Sequence, residues 1–215
     1  MKLAILANDI MKQEWLAKGS GSAELQWVND VDALTAAQAD AWFDLDFEDH
    51  PEHIGKLEAI QGPVFISSVI RPLVGSDASL SGDDSQLIRI NAWPTFLNRE
   101  LVEVCIGDPF DETVVREVFG AMGWNPRIVP DVPGMITPRI IAMIINEAFY
   151  TLHAEVSTKE EIDTAMKLGT NYPFGPFEWS EKIGLHRIHA LLAALSKLDE
   201  RYMPAENIQQ HAAHS

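Results

Sequence analysis

Few side chains in this sequence are spaced for chemistry, and each has a plainer structural reading beside the reactive one. His50-x-x-His53 places two imidazoles on one face of a helix, with Glu48 and Asp49 alongside, the donor types a transition metal takes. Pro51 interrupts the pair and the sequence offers no third ligand, so solvated side chains at a helix start are expected, and no metal. Cys105 is the single cysteine and lies in the apolar run Val102 to Ile106, which reads as a buried, inert thiol with no intrachain disulfide. His186 and His189 stand three apart beside a packed helix face. Arg71, Arg89, Arg99, Arg127 and Arg139 are the reservoir for an anion site, if they converge. Trp93, Trp124 and Trp179 read as core or interface aromatics.

The elements that would carry these residues follow from periodicity. Leu3–Leu6, Leu25–Val28, Ala41–Leu45, Val64–Ile66, Leu87–Ile90, Val102–Ile106 and Arg127–Val129 are short apolar runs of the kind that form buried parallel strands. Between them Ile10–Lys18, Asp32–Ala39, Glu52–Ile60 and Glu112–Met122 are helix-compatible, with Asp111 as the last one's N-cap and Gly123 as its stop. This alternation predicts a parallel sheet covered by helices. Ser76 to Ser85, rich in Ser, Asp and Gly, reads as a surface loop.

After Pro130, Pro133 and Gly134 the pattern turns wholly helical. Ile140 to Leu152 carries apolar residues at three- and four-residue spacing. Thr158-x-x-Glu161 is a capping box before Ile162, with Gly169 as the expected stop. Ile188, Leu191, Leu192, Leu195 and Leu198 form the stripe of a last helix, and the tail from Glu206 is expected to fray.

Charge narrows the partners. Sixteen Lys+Arg against 32 Asp+Glu give a net charge of −16, a field that repels nucleic-acid phosphates and anionic lipid, so neither is an expected partner. The apolar run at Leu3–Leu6 is too short for a secretion signal and no stretch approaches membrane-spanning length, which leads to a cytoplasmic expectation.

Several local patterns together resemble the 3-hydroxyacyl-CoA dehydrogenase family. Asp163-Thr-Ala165-Met166-Lys167-Leu-Gly169 followed by Tyr172-Pro173-Phe174-Gly175-Pro176-Phe177-Glu178 is close to the family's D-x-A-M-K-x-G-x-x-Y-P-M-G-P-F-E. Asp131-Val132-Pro133-Gly134-Met135-Ile136 with Arg139 resembles the D-x-P-G-F-I-x-N-R hinge. Ala39-Asp40 to Glu48-Asp49 resembles A-D-L-V-I-E-A-V-P-E-D, and Leu101-Val102-Glu103-Val104 matches L-V-E-V. The resemblance implies a shortened Rossmann-like α/β domain with a mostly parallel sheet over 1–130 and an all-α domain over 131–215. It also implies NAD bound by the first domain, and an acyl-CoA cleft and a dimer formed by the second. Hydride transfer in the family is served by a His–Glu pair, helped by a Ser and an Asn.

Residue by residue, the resemblance keeps less of the chemistry. Ala7, Asp9 and Lys12 stand at the three positions of the G-x-G-x-x-G phosphate loop, and Asp9 adds a carboxylate where a pyrophosphate would sit. Glu103 is kept, but the histidine position holds Asn91, whose amide exchanges no proton near neutral pH. Pro138 stands at the substrate-side Asn, and Ser67-Ser68 is the serine pair nearest the family's T-S-S, at which strict register puts Ile70 or Arg71. The resulting expectation is a catalytically degenerate family member with no cofactor, holding an acyl-thioester or another metabolite between its domains. The alternative is an active NAD-dependent 3-hydroxyacyl-CoA dehydrogenase with atypical residues. A homodimer through the helical half is also expected, because Ile140–Leu152 is apolar around most of its circumference and a unit of under about a hundred residues covers such a helix poorly.

Overall fold

A computed structural model of the chain describes residues 1–73, 87–107 and 112–212. The expected loop Ser76–Ser85 and the Asp111 cap lie outside the described residues. The chain divides into two compact units, Met1–Met135 and Ile136–Ser215.

The first unit alternates strand and helix: β1 (Lys2–Leu6), α1 (Asp9–Lys18), β2 (Glu24–Val28), α2 (Val31–Ala36) and β3 (Ala41–Asp44). A 3-10 turn (Pro51–His53), α3 (Ile54–Leu57), β4 (Val64–Ser67), β5 (Leu87–Ile90), β6 (Leu101–Ile106), α4 (Glu112–Met122) and β7 (Asn125–Ile128) follow. Among the described residues seven strands form one sheet in the order β2-β1-β3-β4-β5-β6-β7. Every pairing is parallel except β5 with β6. The expected α/β class with a mostly parallel sheet is what forms.

Strand alternation explains the layering. Leu3, Ile5, Phe43, Phe65, Ile88, Ile90, Val102 and Val104 point to one face and pack under Met11 and Trp15 of α1 and Val115, Val118 and Phe119 of α4. Ala4, Leu6, Trp42, Val64, Ile66 and Leu87 point to the other face, under Leu34 of α2 and Leu57 of α3. Helices on both faces of a parallel sheet make a doubly wound fold. With β2 on one side of β1 and β3 on the other, the winding reverses between β1 and β3. The crevice beyond the carboxyl ends of those strands is where such folds place ligands. Pro126 sits within β7, an edge strand, where its missing N–H is tolerated.

The second unit is helical: α5 (Thr137–His153), α6 (Lys159–Thr170), α7 (Pro176–Ile183), α8 (Leu185–Ser196), a 3-10 turn (Glu200–Tyr202) and α9 (Glu206–Ala212). Thr158 and Glu161 form the expected reciprocal cap of α6. The expected stop at Gly169 is corrected: the helix runs on to Thr170, and Asn171 takes the left-handed turn at φ +56°, a conformation its short polar side chain tolerates. The expected stripe is corrected at Leu198, which lies beyond α8 and is 71% exposed. The tail does not fray from Glu206. Ile208 of α9 is fully buried, and the segment leading to it is tied down by Asn146 of α5. That side chain donates to Met203 O at 2.9 Å and accepts from Ala205 N at 2.8 Å. Among the described residues no helix is long and apolar enough to cross a membrane.

Candidate functional site

The residues singled out for chemistry in the first unit gather at the carboxyl edge of the parallel strands. Ser67 ends β4, buried, with Ile90 as its neighbour on β5. Asn91 is the first residue past β5, and its N–H donates to Glu103 O at 3.0 Å. This continues the antiparallel register in which Ile90 faces Val104, so Asn91 and Glu103 stand opposite each other. Opposed residues of an antiparallel pair present their side chains on the same face, and both are buried. The Asn91 side-chain oxygen accepts from Trp93 N at 3.4 Å. Ser67, Asn91 and Glu103 therefore lie at one end of the sheet, Asn91 and Glu103 on one face, whereas Ser67, two residues on from Phe65 and paired with Ile90, points to the opposite face.

Sequence reasoning missed what surrounds them. Glu48, just beyond β3, accepts from Val69 N at 2.5 Å, Ile70 N at 3.3 Å and Trp93 Nε1 at 3.0 Å. It thereby clamps the exits of three strands, and burial pushes its carboxyl above the usual range even against the lowering effect of those bonds. Arg89 is wholly buried on β5. Its Nε donates to Ser68 O at 2.7 Å, one Nη to Val69 O at 3.0 Å, and the other pairs with Asp131. Asp131 also accepts from Leu73 N at 2.9 Å, and Gly134 N donates to Val69 O at 2.8 Å. Gly134 has φ +79°, so a residue without a Cβ fits that turn. The Asp-x-Pro-Gly pattern at 131–134 is thus a clasp onto the ends of β4 and β5. The arginine reservoir is corrected accordingly: Arg89 is spent inside the fold, Arg99 bonds Thr95 O at 3.1 Å and lies over Phe96, and Arg139 lies over Tyr202 in the other unit.

Cys105 is buried beside this network and donates to Pro130 O at 3.3 Å. Burial pushes its thiol up to about 12, so the thiolate needed for nucleophilic attack is absent at neutral pH. The native chain is expected to give no reaction with Ellman's reagent and one equivalent per chain in denaturant. Fast reaction in the native state would contradict the burial.

At the crevice between β1 and β3, Asn8 caps α1 by accepting from Met11 N at 3.0 Å, and its own N–H and Nδ2 donate to Asp46 Oδ1 at 2.9 and 2.8 Å. Asp9 stands exposed in the first turn of α1, and Lys12 lies over the Trp27 ring. The head of this helix already holds a carboxylate where a pyrophosphate would otherwise be drawn. These residues do not fit a dinucleotide bound through a glycine cradle.

Nearby, Asp44 ends β3 with no exposed surface. Its Oδ2 lies 2.7 Å from His53 Nδ1, and its Oδ1 accepts from Asp46 N at 3.0 Å. Burial pushes its carboxyl up to about 6, opposed by the His53 contact. His50 stacks on His53 with ring centroids 5.3 Å apart, and its Nδ1 lies 3.1 Å from Glu52 Oε1.

In the helical unit the long Asp163-to-Glu178 pattern has a structural cause. The buried Asp163 carboxylate accepts from Phe177 N at 2.8 Å and Glu178 N at 3.1 Å, capping α7 from α6. Glu178 reaches back to Gly175 N at 3.0 Å and pairs with Lys167. Each polar member of the motif fixes the α6–α7 corner.

A doubly wound α/β unit followed by a helical unit that carries these two motifs resembles the architecture of the 3-hydroxyacyl-CoA dehydrogenases. The family profile for the 3-hydroxyacyl-CoA dehydrogenase C-terminal domain matches residues 134–215. The helical unit thus belongs to that family, and the resemblance drawn from the sequence holds. The chain is 45% identical over 86 residues to 3-hydroxyadipyl-CoA dehydrogenase of Escherichia coli, a match covering 39% of this chain and 18% of that protein. It is 34% identical over 133 residues to a probable 3-hydroxybutyryl-CoA dehydrogenase of Deinococcus radiodurans, covering 60% of this chain and 48% of that protein. The chain spans half or less of the length of these curated relatives. In fold it is similar to (S)-3-hydroxybutyryl-CoA dehydrogenase of Ralstonia eutropha, with a TM-score of 0.72 at 20% identity over 99% of this chain and 93% of that one. These relationships overturn the expectation that no cofactor is used. The relatives are dehydrogenases by name, and NAD is the cofactor that the family resemblance implies. The unsuited turn at α1 stands as a feature of this chain.

Proposed function

We propose that this 3-hydroxyacyl-CoA dehydrogenase-like chain binds an acyl-thioester of the kind its relatives are named for and does not carry out their hydride transfer. The observation behind this reading is Asn91, seated opposite Glu103 where the family's acid–base histidine pairs with its glutamate. The backbone pairing presents the two side chains together, and at that pair an amide stands in place of the group that would move the proton. Loss of a positioned general acid–base costs about 10²–10⁴ in rate. With NADH at saturation, acetoacetyl-CoA reduction is expected at least that far below the ordinary turnover of ~1–10³ s⁻¹, while acetoacetyl-CoA raises the melting temperature. Turnover inside the ordinary range would overturn the reading and restore an active dehydrogenase.

The same reading includes a homodimer through the helical unit. Ile140 on α5 is 53% exposed and Ile144 is half-buried in the single chain, an apolar strip that a two-fold partner would cover. Light scattering is expected to give twice the chain mass of 23.9 kDa, and Ile144→Asp to give the single mass without loss of helix signal. A monomeric wild type would defeat the dimer.

A further inference from the structure

We propose that the turn after β3 is a site for a divalent transition-metal ion, with His50, Glu52 and His53 as ligands and Asp44 as the buried carboxylate that orients His53. Spacing in the sequence shows two imidazoles interrupted by Pro51. Folded, the 3-10 turn Pro51–His53 brings Glu52 in as a third donor. One ligand atom from each of the three residues lies within 4.8 Å of the others.

The second observation is independent of that cluster. Asp44 Oδ2 stands 2.7 Å from His53 Nδ1, and Asp44 has no exposed surface. A carboxylate holding the Nδ1 proton fixes the tautomer and leaves Nε2 with the free lone pair, the arrangement by which ligating histidines are oriented from behind. His53 is the anchored ligand, its side chain 15% exposed, whereas His50 and Glu52 are 55% and 69% exposed and contact each other at 3.1 Å, a surface contact that a shared ion can replace.

Tetrahedral coordination at Zn–N bonds of about 2.0–2.1 Å sets ligand atoms about 3.3 Å apart. The cluster must therefore tighten by about 1.5 Å from its 4.8 Å span, which rotation of two exposed side chains supplies. Two imidazoles and one carboxylate favour Zn(II), Co(II), Ni(II) or Cu(II) over Mg(II) and Ca(II). Three protein ligands leave one position for water or an incoming oxygen or nitrogen donor. That position lies on the loop that leaves β3, at the reversal of the winding.

The test is a titration of tag-free, EDTA-stripped full chain with Co(II), read by its visible ligand-field bands, then displacement by Zn(II). One equivalent is expected to bind with tetrahedral-type absorbance, and Mg(II) or Ca(II) not to compete. His50→Ala and His53→Ala should each weaken binding at least tenfold, and Asp44→Asn by about 10–100-fold. His50→Ala alters an exposed side chain, so its circular dichroism and melting curve should match wild type, which keeps the test valid if Asp44→Asn folds poorly. Two results would overturn the site: no ligand-field bands with wild type, or an affinity unchanged in both histidine variants, which would put the metal on other histidines.

Discussion

Gly175→Ala is expected to unfold the helical unit at much lower denaturant than wild type, although the change adds one methyl. A Cβ at Gly175 would fall 2.3 Å from Asp163 Cγ and 2.4 Å from its Oδ1, closer than real contacts allow. Asp163 cannot yield cheaply, because its two oxygens hold the Phe177 and Glu178 amides at the head of α7. Each hydrogen bond to a charged group contributes about 1.5–3 kcal/mol, and overpacking adds about 1–3 kcal/mol. The variant should lose several kcal/mol of unfolding free energy, read from the urea midpoint by circular dichroism. Gly169→Ala is the matched control. Gly169 lies exposed within α6, and its added Cβ would meet nothing within 4 Å, so about 0.5–1 kcal/mol of stabilisation is expected. Equal midpoints for the two variants would show that the Asp163 clasp does not hold this corner.

Arg89→Leu is expected to have the largest effect in the α/β unit. The substitution keeps bulk but takes the cation from Asp131, which retains the Leu73 amide, and removes the donor from three carbonyls, Ser68 O, Val69 O and Val132 O. Removing one partner of a buried ion pair costs about 3–5 kcal/mol. The double variant Arg89→Leu/Asp131→Leu should cost less than the sum of the singles, because no lone charge is left behind. Additive losses in that cycle would mean that the two charges do not act as a pair.

These two positions show where the sequence was legible and where it was not. Strands such as Leu3–Leu6 and Leu87–Ile90 are readable because a buried strand needs an apolar run and little else. The α6 cap is readable because Thr158 and Glu161 are three residues apart. Arg89 and Asp131 are 42 residues apart, and nothing local in either marks the other. Glu48 looks like an ordinary acidic residue after a strand until the segments that follow β4 and β5 bring its partners. The Asp163–Glu178 pattern is recognisable from the sequence, but the distance from Gly175 to the Asp163 carboxylate, which explains it, is not. Pairing Asn91 with Glu103 depends on an antiparallel register between two strands, and register is set by packing across the sheet rather than by either strand alone. The fate of the tail turned on Asn146, whose amide holds a chain segment some 57–59 residues downstream.

Pro126 has a consequence beyond its own strand. An exposed strand edge offers a row of amides and carbonyls on which a second chain can continue the sheet, the usual route to fibres and mispaired oligomers. In β7 one of those donors is missing by covalent structure, and the strand is four residues long. The last rung of this sheet is thus a poor template for growth. Association on that side would gain little from backbone pairing and would rest mainly on side chains that a single substitution can tune.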